Sequence, residues 1–291
     1  EAALFIWCRT AVCDNPTCRA QLPLVGSFSL LRTDDAHVYL RPIVDKKKKV
    51  VDFEIVRDGV DAEAPEGLVK RSNAECLVCG QVTSSKSLKS QGSQSGLGHR
   101  LLAIAYKARG GKDFAVPSVQ ERKRAESIVV PGGRIGDLSA VPDESLPIND
   151  TRAFFPVLYG LSQWGRLYNP RQLTTMIALV EAVRAAREEI QADSKDVDAT
   201  GDYAKALCTL LSLGVSKLAD YCSTICTINQ ARGGSAKNTF RMNALQMTWD
   251  YAETNPLQEG AGGWLTATKS LLDNLELLAF PGEAHVARAS A

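Results

Sequence analysis

The chain has 291 residues, 45% of them apolar, and its 34 basic side chains nearly balance 33 acidic ones. This composition excludes wholesale disorder, and it excludes attraction to nucleic acid by the protein as a whole, so any such binding needs a local patch. No apolar run approaches the roughly 20 residues that span a bilayer, and the eight cysteines, without a signal peptide, point to a reducing, cytoplasmic setting.

Residues 1–12 read as a strand, Leu4-Phe-Ile-Trp7 leading into Cys8-Arg-Thr-Ala-Val12. Cys13-Asp-Asn-Pro-Thr-Cys18 follows, and 57 residues separate Cys18 from Cys76-Leu-Val-Cys79-Gly80. Two close cysteine pairs at the ends of a β-rich segment predict a zinc ribbon. Cys13, Cys18, Cys76 and Cys79 would supply four thiolates to a structural Zn²⁺ with no open position for water. Gly80 suits a knuckle that needs positive φ past its second ligand, and Asn15 and Pro16 suit the looser first loop. Two disulfides are the alternative. Between the pairs, Gln21–Leu31, His37–Val44 and Val50–Val56 predict an antiparallel meander with a turn at Asp34-Asp35. Lys46, Lys47, Lys48 and Lys49 read first as a solvated hairpin turn that blocks edge pairing, and second as a phosphate contact.

Ser84–Gly98 is rich in Ser, Gly, Gln and Lys and predicts a mobile loop, in which Lys86 and Lys89, with Arg100 beyond, would suit contact to a DNA backbone. Arg100–Lys107 reads as a strand ended by Arg109-Gly-Gly111. Ser118-Val-Gln-Glu121 has capping-box spacing and predicts a short helix to about Ser127. Prolines and glycines then make residues 112–150 a connector.

The second half reads as helical. Asn169 caps a helix with Pro170 at its first position, running to about Gln191. Gly201–Cys226 is a longer one, with Leu207, Leu210, Leu211 and Leu218 as its stripe and Cys222 and Cys226 as core thiols. Met242–Ala252 predicts a short helix and Leu265–Leu278 the last. The loop Ala231–Lys237 pairs two glycines with Arg232 and Lys237, and with Arg241 it could approach a phosphate closely; as a polar interhelical loop it needs no such role. The expected fold class is α+β: a zinc-ribbon antiparallel β domain (1–111), a connector (112–150) and a helical domain (151–291). Both termini read as cut, so the chain is expected to be a piece of a longer protein.

Several stretches in order resemble the central region of the large adenine-specific DNA methyltransferase-like proteins that carry an internal zinc ribbon. They are Trp7-x-Arg9-Thr10, Gln21-Leu-Pro-Leu-Val25, Leu40-Arg-Pro42, Lys70-Arg-x-Asn-Ala-x-Cys76-x-x-Cys79-Gly80 and Gly98-x-Arg-Leu-Leu102. Further on are Tyr159-Gly160-x-x-x-Trp164-Gly165, Arg171-Gln172-Leu173, Asn238-Thr-Phe240 and Ala244-Leu-x-Met-x-Trp249-Asp250-x-Ala-Glu253-x-Asn255-Pro256. The resemblance implies an insertion between two methyltransferase halves, which would bind S-adenosylmethionine and hold the flipped adenine. This chain has neither the Gly-rich cofactor loop nor an Asn/Asp-Pro-Pro-Tyr motif. Gly260-Ala-Gly-Gly263 is expected to begin no helix of the right context. No catalytic residue is therefore assigned, and S-adenosylmethionine belongs to the complete parent. The implied partners are duplex DNA and the remaining methyltransferase halves, with no membrane. The alternative function is a zinc-stabilised protein-interaction scaffold using Trp164, Tyr168 and Trp249. A self-sufficient enzyme is the weakest reading, since His37, His99 and His285 lie near no plausible nucleophile.

Overall fold

The computed structural model describes residues 1–58, 63–195, 200–231 and 234–277. Its first strand, β1 (Ala2–Val12), is the one the largest sheet is built on. Leu4, Ile6 and Cys8 turn to one core, with Val25, Phe28 and Leu40, whereas Trp7 turns to the other face, against Leu101, Ile104 and Tyr251. Burial on both faces explains why the strand reads as a nearly continuous apolar run. Its neighbours are all antiparallel: β2 (Gln21–Leu24) along its second half, and later strands described below. The run 21–31 breaks at Gly26, so β3 (Ser29–Arg32) leaves for a separate three-stranded sheet with β4 (His37–Asp45) and β5 (Val50–Asp58). The Lys46–Lys49 turn closes the β4–β5 hairpin as expected. A third small sheet comprises β6 (Val69–Lys70), β7 (Asn73–Glu75) and β8 (Val82–Thr83).

Residues 85–95, expected as a mobile loop, form helix α1 (Ser85–Ser95). Ser84 caps it by accepting from the Ser87 amide, and the helix buries only Leu88 and Gly92. Composition hides so narrow an apolar face. Gly92 is needed there because a Cβ would meet the Tyr159 carbonyl oxygen at 2.3 Å. Strand β9 (Gly98–Ala108) then pairs with β1 and turns at Gly110 into β10 (Gly111–Ala115), so the connector begins with a strand. Helix α2 (Val119–Glu126) carries the expected capping box between Ser118 and Glu121. A two-residue ribbon, β11 (Arg134–Ile135) with β12 (Leu138–Ser139), and two 3₁₀ turns lead to helix α3 (Pro170–Asp193), capped by Asn169 and Gln172.

Helix α4 (Asp202–Tyr221) stops before Cys226 because the next hydroxyls bond outside the helix. Thr224 donates to the Leu167 carbonyl and Ser223 bonds Thr239, an alternative to the helical ladder. Its buried positions are Ala204, Gly214, Val215 and Leu218; Leu207, Leu210 and Leu211 are half-buried. Another short ribbon, β13 (Ile228–Asn229) with β14 (Ser235–Ala236), precedes a correction to the expected Met242–Ala252 helix. Those residues are irregular until β15 (Asp250–Thr254), which pairs with β1 from Leu4↔Thr254 to Cys8↔Asp250. Local pattern cannot reveal a strand whose partner lies some 240 residues away. The large sheet therefore runs β10-β9-β1-β15 with β2 also on β1, and it takes one strand from beyond residue 151. Helix α5 (Trp264–Leu277) packs on α4, with Gly214 against the Trp264 ring. The class is α+β, with antiparallel strands and five α-helices among the described residues. No helix there is long and apolar enough to cross a membrane.

Candidate metal centre

Each cysteine pair sits at the tip of a hairpin. Cys13 and Cys18 close the β1–β2 hairpin, and Cys76 and Cys79 close β7–β8. In the first loop the Asn15 carbonyl accepts from the Cys18 and Arg19 amides, both at 3.0 Å, and the Cys13 amide donates to Ala20. In the second, the Gly80 amide donates to the Cys76 carbonyl at 2.7 Å and the Cys76 amide to Gln81. Both loops turn through a left-handed residue just past the second cysteine, Arg19 (φ 51°) and Gly80 (φ 74°). Gly80 was legible in the sequence; Arg19 carries no such signal.

The loops bring all four Sγ atoms within 4.8 Å of one another. Cys13 and Cys79 are 3.7 Å apart, Cys18 and Cys76 3.9 Å. A tetrahedron with Zn–S bonds of about 2.3 Å has sulfurs about 3.8 Å apart. The donor set therefore fits a four-coordinate metal ion. Burial pushes the Cys13 thiol up to about 12 and raises Cys76, whereas the Gln81 amide holds the exposed Cys79 down at about 7. A bound dication reverses this by stabilising thiolates, so loading releases protons. Cys208, Cys222 and Cys226 join no cluster among the described residues, and Cys222 and Cys226 are buried in the core as expected.

The sequence-predicted cations divide into groups. The Lys49 ammonium donates to the Thr17 carbonyl at 2.7 Å, which sets the Lys46–Lys49 turn against the first cysteine loop. In the same turn Lys46, Lys47 and Lys48 are exposed, with Lys48 3.6 Å from Asp45. The helix bearing Lys86 and Lys89 is tied to that loop too. Ser87 donates to Asp14 at 2.5 Å, and the Asp14 amide donates to Thr83. Lys86 is exposed, while Lys89 lies over the Tyr159 ring. Arg19, missed in the sequence, is exposed on the loop itself. Arg100 is different. It is buried, bonds Asp52 at 2.7 Å and covers the Phe53 ring, so it is not presented to a phosphate. Lys237 and Arg241 lie by β13 and β14, where Arg241 donates to Thr227; Arg232 lies outside the described residues.

The aromatic residues expected at a protein-binding surface are half-buried and packed on neighbouring side chains. Trp249 stacks edge-on against buried Tyr159 at 5.0 Å, and Trp164 and Tyr168 pack on Leu146, Leu167, Ile225 and Leu245. Gly260-Ala-Gly-Gly263 leads into α5, the last helix, which the sequence places from Leu265. It nevertheless offers no cradle for a cofactor. A Cβ at Gly262 would meet Thr254 at 2.7 Å and one at Gly263 the Gln258 carbonyl at 1.9 Å, so the chain itself fills that space. S-adenosylmethionine does not fit this loop.

His99 is expected to make stability depend on pH. The Tyr251 hydroxyl lies 2.9 Å from its Nδ1, and burial, with the Arg9 guanidinium nearby, pushes the imidazole down to about 3. The unfolded chain therefore binds a proton that the folded chain refuses between about 3 and the ordinary value near 6.5. This group's contribution to stability is complete above about 6.5 and falls as pH drops through that window. His99→Gln should flatten the acid limb of a plot of Tm against pH; an equally steep limb would remove His99 as its cause.

Searched against family models, curated proteins and solved structures, the chain matches none.

Proposed function

We propose that this chain is a zinc-ribbon and helical insertion of an S-adenosylmethionine-dependent adenine-specific DNA methyltransferase, and that it positions duplex DNA while the flanking halves of the parent carry out the transfer. The four-sulfur donor set favours Zn²⁺ over harder cations, and a reducing cytoplasm would keep those thiols available. The observation that carries the DNA reading is convergence. Lys49 bonds the Cys13–Cys18 loop and α1 is tied to the same loop, so cations distant in sequence gather round one metal-binding tip. Such a gathering would serve as the local patch which a nearly neutral chain requires.

Fluorescence anisotropy of a short duplex across a salt series tests it. The variant to use is Lys46→Gln/Lys47→Gln/Lys48→Gln, which spares the structural Lys49. Its affinity should fall at least about tenfold at low salt, and the slope of log K against log salt should lose about 2 to 3 units, at about 0.9 per phosphate contact. Unchanged affinity and slope would take this face out of the interface. The second reading, a zinc-stabilised scaffold, is favoured by a groove of about 200 Å³ between α3, α4 and α5, lined by Leu207, Leu210, Leu211, Leu271 and Leu272. Absence of salt-sensitive DNA binding in the wild-type chain would transfer the weight to it.

A further inference from the structure

A cleft of about 290 Å³ lies between the turn after β2, strand β13 and the segment that runs into β15. Its wall is as polar as it is apolar, and Ser27, Gln230, Arg241, Gln246 and Asp250 all line it. Asp250 is half-buried, and its Oδ1 accepts from the Gly26 amide at 2.6 Å. A Cβ at Gly26 would stand 2.9 Å from that oxygen, so glycine lets the backbone come this close. Burial pushes the Asp250 carboxyl up to about 6, with the Gly26 and Ser27 amides opposing it. A desolvated carboxylate ordinarily has a cation beside it. No described side chain forms an ion pair with Asp250. The Arg241 guanidinium is in the complementary state: its Nη1 donates to Thr227 Oγ1 at 2.7 Å, and no described carboxylate pairs with it. Two opposite charges therefore line one cleft without neutralising each other. Neutral groups complete the wall. Gln230 donates from Nε2 to Ser27 Oγ at 2.9 Å, which leaves its carbonyl oxygen for another donor. The Gln246 side chain is exposed and makes no hydrogen bond among the described residues.

We propose that this cleft binds a small dipolar ligand of the amino-acid or short-peptide class, with its ammonium at the Asp250 carboxylate, its carboxylate at the Arg241 guanidinium and its amide groups on Gln230 and Gln246. A ligand with a single charge would leave the opposite charge of the cleft without a counterpart. A carboxylate matches the planar fork of a guanidinium, and the ammonium gives Asp250 the counter-charge that the fold withholds. Arg241, which the sequence marked as a phosphate contact, takes a carboxylate here. The site shares no residue with the Lys46–Lys48 face and stands whether or not that face meets DNA.

Isothermal titration of glycine, diglycine and triglycine into the zinc-loaded chain at low ionic strength tests the proposal. One of the three should bind best, and its length reports the distance between the two charges. That ligand is then blocked at each end in turn. N-acetylation and C-terminal amidation should each weaken binding at least about tenfold, the worth of one charge-assisted contact. Asp250→Asn keeps an oxygen for the Gly26 amide and Arg241→Gln alters an exposed side chain, so both should hold the wild-type Tm within a few degrees. Asp250→Asn should bind the free and the N-acetylated ligand alike, and Arg241→Gln the free and the amidated ligand alike, each weakly. Heat no greater than that from ammonium acetate at equal ionic strength, full affinity after blocking either end, or unchanged affinity in either variant would overturn the proposal.

Discussion

Cys76→Ser is expected to release the metal and melt both hairpin tips while α3, α4 and α5 keep their helical signal. Cys76 is fully buried and shares a cluster with Cys13, Cys18, Leu22, Leu24, Leu88 and Tyr159. A metal held by these four cysteines would therefore join the β1–β2 tip, the β7–β8 tip and α1 at one point. A structural Zn²⁺ contributes apparent free energies of about 10–16 kcal/mol in small fingers. A chain with a larger core of its own should lose only part of that. A loss of about 3–5 kcal/mol would lower Tm by about 5–8 °C in a chain of this size. Cys208→Ser is the control, because that half-buried thiol makes one weak contact, to the Val183 carbonyl at 3.9 Å; it should shift Tm by no more than a few degrees. Thermal scans followed in the β and helical regions of the circular dichroism spectrum read both. Equal Tm values for Cys76→Ser and Cys208→Ser would remove the metal from the stability of the fold.

The second large effect is expected at Arg9, in the middle of β1. Its guanidinium is buried and donates from Nε to the Thr248 carbonyl at 2.9 Å and from Nη2 to Thr224, to Oγ1 at 2.7 Å and to the carbonyl at 3.3 Å. One side chain thus fastens the first strand to two segments more than 200 residues away. Arg9→Ala leaves these acceptors without a donor and opens a cavity, at a cost of about 3–5 kcal/mol. Arg9→Lys should recover only a part, since an ammonium on a flexible stem cannot reproduce the planar fork that reaches both segments. Urea unfolding measures both variants. Changes below about 1 kcal/mol in each would mean that β15 and the Thr224 turn are held to β1 without Arg9.

What was legible in the sequence follows the range of the forces. The cysteine spacing, the capping box at Ser118 and the Asn169-Pro170 helix start are local chemistry, and each is found where the sequence puts it. Strand β15 depends on β1 for its pairing, and nothing within residues 242–252 encodes that partner. Helix α1 escaped for the opposite reason: its face toward the core is Leu88 and Gly92 alone, beneath a polar surface that resembles a loop. Charge by itself misled at Arg100, where the sequence shows a cation but not the Asp52 carboxylate and Phe53 ring that hold it inward. Conversely, the sequence shows Lys49 and Thr17 but not the 2.7 Å bond that gathers the basic turn to the cysteine loop.

The most direct test of the zinc clip is metal content and ligation in the purified chain, by elemental analysis and X-ray absorption at the zinc edge. One zinc per chain with four sulfur neighbours at about 2.3 Å, lost in Cys76→Ser, is the predicted result. A chain without metal, with Cys13, Cys18, Cys76 and Cys79 paired as disulfides or free to alkylation, would contradict the account.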